Sequence, residues 1–180
     1  MIRSMFALSF TFLLIAPSNV SAQHKYVGVK MCAPCHRTEK QGNQLAIWQS
    51  SKHAEAYKVL ESDASKEIAK KKGLSKAPAE SPECLKCHVP QHDVEAALIS
   101  KTFDPKDGVQ CESCHGPGSD YKSLSVMKDR TKALAAGMVL AKDDPKLCQN
   151  CHNEESPTFK AFDYKKMWEK IKHPVPTAKK

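Results

Sequence analysis

The sequence predicts a mainly α-helical chain of short helices and loops with minimal sheet. Three observations lead there. Helix-starting and helix-stopping residues recur at close intervals along the chain. No stretch alternates apolar and polar residues for long enough to make a convincing strand. The pentapeptide Cys-x-x-Cys-His occurs four times in the 180 residues.

The four copies are Cys32-Ala33-Pro34-Cys35-His36, Cys84-Leu85-Lys86-Cys87-His88, Cys111-Glu112-Ser113-Cys114-His115 and Cys148-Gln149-Asn150-Cys151-His152. They use all 8 cysteines, and 4 of the 8 histidines stand directly after a second cysteine. Randomly scattered histidines would fill those places roughly four times in a million, so the pattern is chemical. Two thiols at this spacing add to the two vinyl groups of one haem, and the adjacent histidine gives the iron its fifth ligand. The intervening pairs (Ala-Pro, Leu-Lys, Glu-Ser, Gln-Asn) share nothing, as expected if only the cysteines and the histidine meet the cofactor. Zinc knuckles also use paired cysteines but need no histidine after each pair. A disulfide framework suits an exported chain but leaves the four histidines unexplained. The fold class is therefore a multihaem cytochrome c, its short helices and loops wrapped around four covalently bound c-type haems.

Taken in chain order, the first element is a leader. Met1 to Ser4 is short and basic, Met5 to Ala16 is apolar, and "PSNVSA" ends in small residues, so a secretory signal peptide over 1–22 is expected, cleaved near Ala22. The apolar run is too short for a membrane span, and no other stretch predicts one. Residues 23–180 form the expected tetrahaem domain, placed in the periplasm. Ala46, His53, Tyr57 and Leu60 share one face of an expected helix over 46–60, with Ser50 or Ser51 available to cap a break inside it. A polar helix is expected over 64–72, closed by Gly73, and "KAPAESPE" reads as a proline-punctuated linker. A short helix over 94–99, a turn over 103–108 and a tight turn at "GPGS" follow. Residues 129–136 read as a helix stopped by Gly137. Asp144 caps a short helix with Pro145 at its first position, which starts the fourth motif. Asp163 caps a last helix whose Tyr164, Met167, Trp168 and Ile171 make one apolar stripe, ended by Pro174.

Composition supports a cofactor as core. Mean hydropathy is −0.51 and aromatic residues make up 7%, thin material for a sizeable apolar interior, so the haem-free polypeptide is expected to be largely unfolded. The formal charge is +8. Loss of Arg3 with the leader leaves +7, and eight propionates bring the total to about −1. Positive charge so balanced argues against nucleic acid as a partner. The lysines at 70–72 and 179–180 are solvated faces or docking patches for an acidic redox partner.

Four histidines lie outside the motifs: His24, His53, His92 and His173. Each is a candidate sixth ligand. His53 sits on the apolar face of the expected helix beside small alanines. His173 ends the last helix. His92 is four residues after His88 and would share its face if the motif helix continued. His24 would be the second residue of the mature chain, and Met127 is a further candidate.

The order of the motifs, with "SKHAEAY" after the first, "CLKCHV" at the second, "GVQCESCHGPGS" at the third and a late helix carrying a histidine, resembles the tetrahaem cytochrome c family typified by the electron acceptor of hydroxylamine oxidoreductase in ammonia oxidisers. The resemblance implies a mostly helical fold with closely packed haems, some stacked in parallel. It implies that His53 ligates the fourth haem iron and His173 the third. It implies that the second haem lacks a protein sixth ligand. In that family a histidine after "CHGPG" ligates the first haem. Here "GPGSDYKSLSVMKD" contains none, which leaves Met127, His24 or His92 for that place.

The expected function is electron transfer between periplasmic or membrane redox partners, a donor and an acceptor protein. No nucleotide loop is present and every cysteine is committed. One alternative is a small-molecule reductase acting on nitric oxide or hydroxylamine at a five-coordinate haem. None of the motifs carries the lysine that replaces histidine at the nitrite-reducing haem of related enzymes. The other alternative is a protomer of a conductive haem filament.

Overall fold

A computed structural model describes residues 23–173 of the chain. The expected leader, Pro174 and the terminal lysines lie outside the described residues. Ten short helices carry the described fold: α1 Val29–His36, α2 Gln44–Gln49, α3 Ala56–Val59, α4 Asp63–Lys71, α5 Pro82–His88, α6 Cys111–His115, α7 Leu124–Met127, α8 Arg130–Ala135, α9 Pro145–Gln149 and α10 Tyr164–Ile171. Among the described residues the extended pairing is one isolated parallel bridge between Tyr26 and Ile99, and no helix is long and apolar enough to cross a membrane.

Local chemistry sets most helix ends. The Ser62 hydroxyl accepts from the Ser65 N–H to start α4. Asp129, Asp144 and Asp163 accept from the N–H groups of Lys132, Lys146 and Lys166 to start α8, α9 and α10, each satisfying a donor the helix itself leaves unpaired. Gly73 and Gly137 follow the ends of α4 and α8 with positive φ.

Three expectations are corrected. The helix expected over 46–60 is two helices, α2 and α3, and His53 lies in the turn between them. The Ser50 and Ser51 hydroxyls donate back to the carbonyls of Ile47 and Trp48 and end the first ladder. The short helix expected over 94–99 is a single 3-10 turn, Ala96–Leu98, after which Ile99 is extended and meets Tyr26. The second motif's helix stops at His88, because Val89 precedes Pro90 and adopts φ −143°, ψ 77°. His92 therefore does not share a helical face with His88.

Two glycines bring distant segments into backbone contact. Gly28 caps α1 with φ 83°, and a Cβ there would lie 2.8 Å from Phe103 Cα. Gly108, at φ 69°, would put a Cβ 2.8 Å from the His53 carbonyl oxygen. That carbonyl accepts from Val109 N–H at 3.0 Å, and Trp48 Nε1 donates to the Val109 carbonyl at 2.8 Å. The stretch preceding the third motif is thus bolted to the turn that carries His53.

The buried apolar residues are few and mostly small: Val27, Val29, Ala56, Leu60, Ala69, Val89, Tyr121, Ala133 and Ala141. Ser81, Gln91, Gln110 and Glu112 are buried beside them. Such an interior offers little apolar area to oppose the conformational entropy of 151 described residues.

Candidate haem sites

All four pentapeptides ride on short helices. The first occupies the end of α1, the second the end of α5 and the third all of α6. The fourth starts in α9 with Cys148, and Cys151 and His152 follow in the next turn. All eight cysteines are free of disulfides.

The helices bring the motifs together in pairs. The Cys32 thiol lies against Cys111, and this contact, followed by burial, raises it. Cys87 lies against Cys151, whose thiol is pushed up to about 12 by burial first and Cys87 next. An ion pair between Lys86 and Glu155 further joins the second motif to the fourth. Burial and then Cys148 push the Cys114 thiol up to about 11, so the third motif neighbours the fourth. The spatial order of the motifs is first, third, fourth, second.

The motif imidazoles are held for coordination. His88 Nδ1 lies 2.5 Å from the Ala56 carbonyl oxygen and His115 Nδ1 2.9 Å from that of Val139. A carbonyl only accepts, so each ring donates through Nδ1 and keeps its lone pair on Nε2, the arrangement that orients a metal-ligating histidine. His36 Nδ1 meets Gln44 Oε1 at 3.3 Å.

Two further histidines face motif histidines. The ring centres of His53 and His152 are 6.0 Å apart at 60°, and those of His115 and His173 are 5.8 Å apart at 43°. Two metal–nitrogen bonds of about 2 Å each, plus the two ring radii, span roughly that distance. The donor set therefore fits one iron between each pair. Burial lowers His53, with His152 adding to it. Burial and then His115 lower His173, and burial lowers His152. Each ring is thereby favoured in the neutral form that ligates metal. His152 also stacks on Phe162 at 4.8 Å, and a cavity of about 240 Å³ opens beside Cys151 and His152.

The remaining candidates are placed differently. Among the described residues no second histidine ring faces His36 or His88 in this way. His24 Nδ1 is 2.8 Å from Asp120 Oδ2, with its ring over Gly137. His92 has a buried Nδ1 without a hydrogen-bond partner. Met127 is half-buried at the end of α7.

The structure also shows two site residues that the motif reading passed over. Glu112, between the cysteines of the third motif, is 2% exposed. Its carboxylate accepts from Val27 N–H at 2.9 and 3.0 Å, from Gly28 N–H at 2.7 Å and from Gly118 N–H at 2.6 Å. Gln110 Oε1 accepts from Val29 N–H at 2.9 Å, and its Nε2 donates to the Asp104 carbonyl. The third motif thus caps the helix of the first, and its intervening residues are not free of a role.

The profile of the family described as cytochrome c554 and c-prime matches residues 31–116. Those residues are similar to a cytochrome c554 family domain. The c554 match takes in the first three motifs and His53, and the fourth motif and His173 lie beyond it. Cytochrome c-554 of Nitrosomonas europaea is 28% identical over 147 residues, 80% of this chain, and the chain spans 60% of that relative's length. No solved structure matches. A c554 domain is that of a multihaem c-type cytochrome, so haem c is the cofactor and zinc is set aside.

Proposed function

We propose that the mature chain, residues 23–180, is an exported tetrahaem electron carrier that works in the periplasm between a donor and an acceptor protein. The carrying observation is the two pairs of facing histidines, His53 with His152 and His115 with His173. Those four rings would hold two irons from both sides, which suits electron transfer and would leave no place for a substrate. In this reading Cys32/Cys35, Cys84/Cys87, Cys111/Cys114 and Cys148/Cys151 each hold one haem, and His36, His88, His115 and His152 are the proximal ligands. His53 completes the fourth site and His173 the third.

Bound haem supplies the one-electron iron couple. The protein's part is to orient, insulate and space. Ala56 and Val139 hold the His88 and His115 rings through their carbonyls. Cys32 lies beside Cys111 and Cys87 beside Cys151, so haems attached there would be neighbours between which an electron could pass without leaving the protein. The apolar leader, with its small-residue end, supports export, and the exposed lysines supply docking charge for an acidic redox protein.

The test is purification of the exported protein followed by intact mass and a pyridine haemochrome assay. The expected result is a chain starting near Gln23 with four haems. A colourless product with the mass of bare polypeptide would overturn the reading. Carbon monoxide added to the reduced protein should leave the third and fourth sites untouched.

A further inference from the structure

We propose that the buried carboxylate of Glu112 holds the first and third haems at lower reduction potential than the second and fourth, so that electrons run from the first–third pair to the second–fourth pair. The inference rests on the haem assignment proposed above.

Glu112 is 2% exposed, and each of its hydrogen-bond partners is a backbone N–H. A carboxylate whose two oxygens meet donors alone has no acceptor in its shell for an acid proton. The charge sits between two motifs. Glu112 belongs to the third by sequence. Its Oε2 binds the Gly28 N–H, and the carbonyl of that same Gly28 is 3.9 Å from Cys32 Sγ of the first. Glu112 acts electrostatically on Cys32 and Cys111, and Asp107 acts on Cys111 in the same sense.

A fixed negative charge stabilises ferric iron over ferrous, because the ferric form carries one more positive charge. Buried, it does so with little screening. The three N–H dipoles oppose this effect without cancelling a full charge. The second and fourth motifs have a mixed setting. Glu83 acts on Cys84 ahead of Lys72, Lys86 acts on Cys87 and Cys151, and Asp144 acts on Cys148. These groups are exposed and of both signs, so solvent weakens them and the buried Glu112 dominates the difference. Each step along the order first, third, fourth, second oxidises one ferrous iron and reduces one ferric iron, with no bond broken.

The test uses holoprotein variants in a potentiometric titration followed by visible absorption and EPR. Glu112→Gln keeps the side chain's shape and removes its charge. It should raise the lowest-potential component by at least about tenfold in the ferrous-to-ferric ratio at fixed electrode potential, 59 mV for one electron, with four haems and unchanged low-spin signals. Glu112→Asp keeps the charge and spoils the geometry. It should melt earlier and leave the potentials near those of the parent. Unchanged potentials in Glu112→Gln, or equal shifts in both variants, would reduce the residue to a helix cap and overturn the proposal. Should Glu112→Gln fail to accumulate four haems, Asp107→Asn removes the second carboxylate that acts on Cys111 and must raise the same component, and a fall or no change overturns the proposal. A parent protein without covalent haem would instead sink the function proposed above.

Discussion

Glu112 Oε2 accepts from the Gly28 backbone N–H at 2.7 Å, joining two residues 84 apart in the chain. With Val27 and Gly118 it closes three donors onto one buried carboxylate. Hydrogen bonds to a charged group contribute about 1.5–3 kcal/mol each, and orphaned donors cost more than absent ones. Glu112→Ala should therefore destabilise the holoprotein by about 3–5 kcal/mol. A guanidinium titration that leaves the midpoint unmoved would refute this.

Gly108 offers a second check on how the sites are built. A Cβ there lies 2.8 Å from the His53 carbonyl oxygen at a φ of 69°, which only glycine adopts without strain. Gly108→Ala should cost about 1–3 kcal/mol and push the His53 turn away from His152. The readout is EPR: a low-spin signal should shift or convert to high spin while the covalent haem count stays at four.

Removing the facing ligands directly should open specific irons. His53→Ala should create one new carbon monoxide-binding haem in the reduced protein, and His173→Ala another. The double variant should take up two more equivalents than the parent. Uptake identical to that of the parent would show that the facing rings do not complete those sites.

Helix α10 carries the apolar stripe that precedes His173, and Asp163 starts it by accepting from Lys166 N–H at 3.1 Å. Asp163→Ala should cost about 1 kcal/mol. The loss should appear as faster amide hydrogen exchange confined to 164–171, with the rest of the fold unchanged.

The haem-free chain should be largely unfolded. Its described interior holds chiefly valine and alanine, and its largest fully buried side chains are Gln110, Val89 and Ser81. A mutant with all eight cysteines replaced by serine should show weak helical circular dichroism and no cooperative melt. A sharp thermal transition would contradict the view of the haems as core.

Much of this was legible in the sequence because it is local. Asp144, Asp163 and Gly73 mark helix ends through bonds to residues two or three positions away, and the pentapeptides carry their chemistry within five residues. The turn at His53 was less legible. Its apolar face has helical spacing, but the Ser50 and Ser51 hydroxyls back-bond and break the ladder. The extended end of the 94–99 stretch was hidden because its partner, Tyr26, lies far away in the chain. Glu112 was invisible for the same reason. Its partners are backbone amides, which every sequence possesses, and a glutamate between two motif cysteines looks like a solvent-facing spacer.

The separation between Glu112 and Gly28 also orders events during biogenesis. Synthesis proceeds from the N-terminus, so the first pentapeptide emerges long before the glutamate that will anchor its helix. An isolated eight-residue helix is marginal in water. The helix of the first attachment sequence therefore lacks its anchoring carboxylate until the third has been made.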